Sequence, residues 1–179
     1  VQAAAQVLQA ALPAVSRTLA KIQCESLMVV AHAYRRKDVG HALDGFGYLV
    51  AAQTGLAHLG TLFSSTLDPR AIGTEHVLLR TMLKGPRSRP APGATDQEVL
   101  ALVREEVGPL LGLDGDPVFA AVCRHEHTLP RYDLDHPARL LRMQDDLPGD
   151  VHLLRNHQRG VGLSALVKDA AGLADSHAS

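Results

Sequence analysis

SLMVVAHAY, residues 26–34, is rich in β-branched and other apolar residues and predicts a strand. Short apolar runs recur at residues 47–50, 58–63 and 75–83, with glycine and polar residues between them. Runs of that kind, separated by turn-forming residues, predict a meandering sheet.

Helical signals flank these runs. Upstream, Val7, Leu8, Ala11, Leu12, Val15, Leu19 and Ile22 recur at steps of three and four, the spacing of one helix face. Pro13 cannot donate a helical hydrogen bond, so the stretch divides into two short helices. Downstream, residues 84–94, KGPRSRPAPGA, form a loop by composition. Thr95-Asp96-Gln97-Glu98 then has the pattern of a capping box and predicts a helix over residues 96–111, with Val99, Leu102, Val103 and Val107 on one face.

A strand is expected over residues 117–123. A helix follows, started by Asp135 with Pro137 in its first turn and ended by Pro148-Gly149. Residues 151–154 read as a short strand leading through Gly160 and Gly162 into a last helix capped by Ser164. The expected class is α+β, a mixed or antiparallel meandering sheet with flanking helices.

With 18 Lys and Arg against 19 Asp and Glu, the formal net charge is −1, and no large field argues for a nucleic-acid partner. Cys24 and Cys123 stand in no paired spacing, which fits a reducing, cytoplasmic setting better than a disulfide scaffold. No uncharged apolar run reaches the roughly 18 residues of a membrane span, which leaves peripheral membrane contact open. The first residue, Val1, opens a segment that reads as already under way, so a fragment is expected.

Gly160-Val161-Gly162-Leu163-Ser164-Ala165 is the sharpest local pattern. Glycines at a strand-to-helix turn let backbone approach a ligand, and the helix N-terminus adds free N–H groups and partial positive charge. An ordinary tight turn explains the same residues. The acidic residue that a dinucleotide site needs about 20 positions on is not in the sequence.

Cys123-Arg124-His125-Glu126-His127 holds two histidines that a regular strand would point to one face, but nothing in the sequence supplies converging ligands, and no metal is expected. Lys84, Arg87 and Arg89 lack interleaved aromatics and read as a solvated loop. Glu105, Glu106, Asp145 and Asp146 read as solvent-facing carboxylates. No catalytic acid, base or nucleophile can be assigned.

Several segments, in order, resemble the protoporphyrinogen oxidase family of the flavin amine oxidase superfamily. Leu43-Asp44-Gly45-Phe46-Gly47-Tyr48-Leu49-Val50 is similar to that family's L-D-G-F-G-F-L-V. Gly60-Thr61-Leu62-Phe63-Ser64-Ser65 is similar to its G-x-x-F-S-S. Arg124 to Tyr132 resembles R-W-x-x-A-I-P-Q-Y, with His136 and Arg139 matching the G-H-x-x-R that follows. Asn156 and Gly160-Val161-Gly162-Leu163 resemble the terminal G-N-x-x-x-G-V-G segment.

The resemblance implies FAD as cofactor, with Asn156, Gly160, Val161, Gly162, Leu163 and His125 on the cofactor side. It implies a porphyrinogen as substrate, oxidised by O2 in tetrapyrrole synthesis, and a peripheral enzyme that is often a homodimer. Residues 1–150 would form a partial substrate-binding lobe, returning to the FAD domain near residues 120–150. Residues 151–179 would be the C-terminal strand and helix of that domain, with its N-terminal half absent and the chain inactive alone. His125 stands where the family has tryptophan, Arg155 where it has glycine, and Ser164-Ala165-Leu166 where it has asparagine-aspartate-cysteine. These departures keep open an alternative, a non-catalytic lobe that binds a porphyrin or a protein partner.

Overall fold

The computed structural model describes residues 1–70, 72–84, 93–154 and 162–177. Helices α1 (Gln2–Leu8) and α2 (Pro13–Ala20) come first, divided ahead of Pro13, which sits in the first turn of α2. Strand β1 (Cys24–Arg35) follows, then β2 (Gly47–Leu49), β3 (His58–Phe63), a short helix α3 (Ser64–Leu67) and β4 (His76–Lys84). Helix α4 (Asp96–Leu111), strand β5 (Phe119–Pro130) and helices α5 (His136–Asp145) and α6 (Leu163–His177) complete the order.

The five strands form one sheet in the order β2-β3-β4-β1-β5, and the β2–β3, β3–β4 and β1–β4 pairs are antiparallel. The α+β class read from the sequence is the one formed. Strand β5 runs on to Pro130, past the expected end at residue 123, and equals β1, its sheet neighbour, at 12 residues. Residues 151–154, expected as a strand, form none. The Val151 N–H is taken by the Pro148 carbonyl at 2.9 Å, and Leu153 packs instead against an apolar cluster. The loop expected over residues 84–94 lies mostly outside the described residues.

Two compact units divide the chain, residues Ser26–Glu126 and a second made of Val1–Glu25 with His127–Ser179. In the second, Ala4, Ala5, Val15, Leu19, Ile22 and Met143 form the buried cluster, so α5 adds one buried methionine to the apolar residues of α1 and α2 and to Ile22, just past α2.

In the Ser26–Glu126 unit, α4 lays one stripe on the sheet. Val99, Val103, Val107 and Leu111, at steps of four, are each no more than 2% exposed. They meet Val30 and Tyr34 of β1, Phe63 of β3, and Val77, Leu79 and Leu83 of β4. Both ends of α4 are closed. Thr95 Oγ1 accepts from the Glu98 N–H while the Thr95 N–H donates to the Glu98 carboxylate at 2.8 Å, the capping box expected from the sequence. At the other end Gly112 takes a left-handed conformation, and the carbonyls of Leu111 and Gly112 accept from the His41 and Gly40 N–H groups at 3.0 and 2.9 Å.

The residues between β1 and β2 are held in an uncommon shape. Leu43 has φ +55° and is buried; its N–H donates to His41 Nδ1 at 2.9 Å and its carbonyl accepts from Thr66 Oγ1 at 2.7 Å. A left-handed leucine costs roughly 1–2 kcal/mol, which these bonds and the buried side chain offset.

Strands β2 and β3 approach closely because both carry glycine. A Cβ at Gly47 would lie 2.1 Å from the Thr61 carbonyl oxygen, and one at Gly60 would lie 2.3 Å from that of Tyr48. Gly47→Ala should therefore destabilise the protein by about 1–3 kcal/mol through forced separation of the two strands, read as a lower urea midpoint.

His32 of β1 is 1% exposed, with Nε2 at 2.9 Å from Thr81 Oγ1 and Nδ1 without a partner. Burial pushes its pKa down to about 4, so the folded ring is neutral where the unfolded chain's histidine still binds a proton. The stability present above pH 6.5 is thus lost as pH falls from there toward 4, by up to about 3 kcal/mol. In denaturant titrations across that range, His32→Gln should flatten the fall between about pH 6.5 and 5, above the carboxylate range.

Candidate functional site

Of the residues expected on the cofactor side, Asn156, Gly160 and Val161 lie outside the described residues. Gly162 and Leu163 are described, and α6 begins at Leu163, two residues earlier than the Ser164 cap predicts. The Gly162 carbonyl accepts from the Ala165 and Leu166 N–H groups at 3.1 and 3.3 Å, which makes Gly162 the cap. Among the described residues outside its chain neighbours, no atom lies within 4 Å of where its Cβ would stand, and Leu163 is 76% exposed. This end of a 15-residue helix carries backbone N–H groups without helical partners and the positive end of a dipole.

His125 is exposed on β5. His127 has φ +50°, so the regular alternation that would put both imidazoles on one face is broken there. Among the described residues no three His, Cys, Asp or Glu side chains converge.

The sheet has two chemically different faces. Thr61 pairs with Thr81, and Thr81 with Val30, so these face α4 with Leu79 and Leu83. The intervening positions face the other way. Leu49 pairs with Gly60, Gly60 with Met82 and Met82 with Val29, while Leu62 pairs with Arg80 and Arg80 with Ala31. Leu62, Met82, Val29 and Ala31 are half-buried, whereas Leu49 is 84% exposed at the β2 edge, and the neighbouring Phe46 is 76% exposed. This second face is apolar at Leu49, Gly60, Leu62 and Met82, and by the same register it carries the cations Arg80, Lys84 (opposite Leu27) and Arg35 (opposite His76).

On the α4 side, a chain of polar groups crosses the core. Glu106 of α4 accepts from the Ala57 N–H at 2.8 Å, the His58 N–H at 3.2 Å and His58 Nδ1 at 2.6 Å. His58 Nε2 lies 3.0 Å from the Tyr48 hydroxyl, Thr61 Oγ1 donates to that hydroxyl at 3.1 Å, and Thr61 Oγ1 lies 2.9 Å from Thr81 Oγ1. The chain ends at His32. A register shift between His58 and Gly60 makes it geometrically consistent, because it throws out Leu59 and lets His58 and Thr61, three residues apart, reach the same face.

Burial alone would push the Glu106 carboxyl up, but the Ala57 N–H, the His58 ring and the His58 N–H outweigh it and hold Glu106 ionised, below the usual glutamate range. Burial pushes the Tyr48 phenol up, against the Thr61 hydrogen bond, so the hydroxyl stays protonated. With Thr61 donating to it, Tyr48 can donate to His58 Nε2, and His58 then donates from Nδ1 to the carboxylate. The connectivity is that of a nucleophile-histidine-acid triad, yet the protonated, enclosed phenol is a hydrogen-bond donor and not a nucleophile.

Sequence reasoning missed this group. It treats Glu105 and Glu106 alike as solvent-facing, whereas the Glu106 side chain is only 12% exposed. The available signal is that Glu106 lies three residues after Val103, at the margin of the buried stripe.

The chain is 30% identical over 155 residues to the mitochondrial protoporphyrinogen oxidase of Nicotiana tabacum, covering 83% of this chain and 31% of that protein. It is 30% identical over 178 residues to the coproporphyrinogen III oxidase of Propionibacterium freudenreichii subsp. freudenreichii, covering 98% of this chain and 33% of that protein. The chain thus spans about a third of the length of these curated relatives. A crystal structure from Exiguobacterium sp. 255-15 named for protoporphyrinogen oxidase superposes with a TM-score of 0.71 at 22% identity, over 96% of this chain and 38% of that one. Reduced UDP-galactopyranose mutase shares the fold at a TM-score of 0.58 and 16% identity, over 75% of this chain and 28% of that one. Residues 3–138 match the family described as flavin containing amine oxidoreductase, and the chain belongs to that family.

Proposed function

We propose that these residues are part of an FAD-dependent oxidase that converts protoporphyrinogen IX or coproporphyrinogen III to the porphyrin with O2 in tetrapyrrole synthesis, and that the sheet supplies the substrate-side surface. The observation that carries this reading is the apolar sheet face bearing Leu49, Gly60, Leu62 and Met82, with Phe46 beside its edge. A porphyrinogen is a broad, largely apolar macrocycle with carboxylate arms. Such a ring gains most by covering exposed leucine and phenylalanine, and Arg80 on the same face suits a carboxylate.

Bound flavin would accept hydrogen from the substrate and pass the electrons to O2; the protein's part is to bind, orient and exclude water. Of the described residues, Gly162 and Leu163 are those that would approach the flavin, through backbone N–H groups at the start of α6. The second reading, a lobe that binds a porphyrin without oxidising it, rests on Arg155, His125 and Ser164, which depart from the family pattern.

Titrating the whole chain with protoporphyrin IX, followed by quenching of porphyrin fluorescence, tests the surface. Saturable binding is expected, and Leu49→Asp should weaken it about tenfold or more by setting a charge against the ring. No saturable binding, or binding indifferent to Leu49→Asp, would overturn the reading. Repeating the titration with added FAD separates the two readings: a change in flavin absorbance on mixing supports the oxidase, and an unchanged flavin spectrum with intact porphyrin binding supports the non-catalytic lobe.

A further inference from the structure

The family segment similar to residues 43–50 has phenylalanine where this chain has Tyr48. The added hydroxyl is engaged on both sides, at 3.0 Å from His58 Nε2 and as acceptor from Thr61 at 3.1 Å. His58 is 2% exposed and is held in turn by Glu106 at 2.6 Å. We infer that Tyr48, His58 and Glu106 are positioning residues that lock the edge strand β2 to α4, and thereby fix Leu49 and Phe46 at the ligand-facing side of the sheet.

The inference rests on the reading of that face as a substrate surface, but its physical core is independent of it. Strand β2 has 3 residues and pairs along one side only, to β3, so its ladder offers few bonds to resist fraying. Tyr48 alternates with Gly47 and Leu49, so its side chain points toward α4 while Leu49 points away. A bond at the Tyr48 hydroxyl therefore fixes the strand from the side opposite the ligand surface. Both Glu106 oxygens accept, Oε1 from the Ala57 N–H and Oε2 from the His58 N–H and ring. A glutamine cannot reproduce this, because one of its two terminal atoms is a donor. Glutamate, and not merely a polar residue of that size, is required for the anchor.

Two variants test the lock. Tyr48→Phe removes one oxygen and restores the residue type of the family pattern, so it should fold. Glu106→Gln breaks the other end. In each, hydrogen exchange should quicken about fivefold to tenfold at the Val50 amide, which bonds to the Leu59 carbonyl, and at the Phe63 amide, which bonds to the Phe46 carbonyl. Amides of the β1–β4 pair serve as the internal control and should not change. The protoporphyrin IX dissociation constant should rise by a similar factor.

Unchanged exchange at Val50 and Phe63 in both variants overturns the lock, whatever happens to porphyrin binding. Faster exchange with an unchanged dissociation constant overturns the positioning role. If the wild-type chain binds no porphyrin, the substrate reading fails by itself, and the exchange data still decide whether β2 is anchored from α4.

Discussion

Val99, Val103, Val107 and Leu111 have to stay in register with Val30, Leu79, Leu83 and Phe63 for almost everything else in the Ser26–Glu126 unit to hold. That contact buries one face of β1, β3 and β4, and helix position follows from it as much as sheet integrity does. The helix cannot slide, because the capping box fixes its start and the Gly40 and His41 N–H groups occupy its last carbonyls. Glu106 rides on the same helix, so the turn that seats Val103 and Val107 also brings a carboxylate to Ala57 and His58. Apolar burial supplies the driving force here, and the polar chain supplies the choice of register.

The elements were legible where the signal is local. Pro13 divides α1 from α2 because proline cannot continue a helix, and Thr95 with Glu98 announces α4 to the residue. The strand runs were legible because apolar β-formers alternate with glycine and polar turns. What remained hidden depends on register between distant segments. The displaced Leu59 leaves no mark in sequence, since a bulge is decided by how β3 meets β4. The Glu106–His58 pair spans 48 residues, and only the bulge brings His58 to the helix side. Residues 151–154 failed as a strand for the complementary reason. Their composition suits one, but the Val151 amide and the Leu153 side chain find partners elsewhere.

At α6 the helix start after the glycine was legible, while its cap was displaced by two residues, from Ser164 to Gly162. Serine is the better cap by side chain, but the Gly162 carbonyl already receives the first helical bonds, and a glycine accepts that conformation with little cost.

The two outer strands meet solvent in contrasting ways, with consequences for how the protein behaves at high concentration. An unpaired strand edge is a template on which another chain can add, and a long apolar one invites aggregation. Strand β2 ends after 3 residues and carries Gly47, too little ladder for another chain to extend. Strand β5 runs for 12 residues but presents Arg124, His125 and Glu126 and finishes at Pro130, whose ring has no N–H to offer. One edge is guarded by brevity and the other by charge. The exposed Leu49 can therefore serve a ligand without also serving as the seed of a growing sheet.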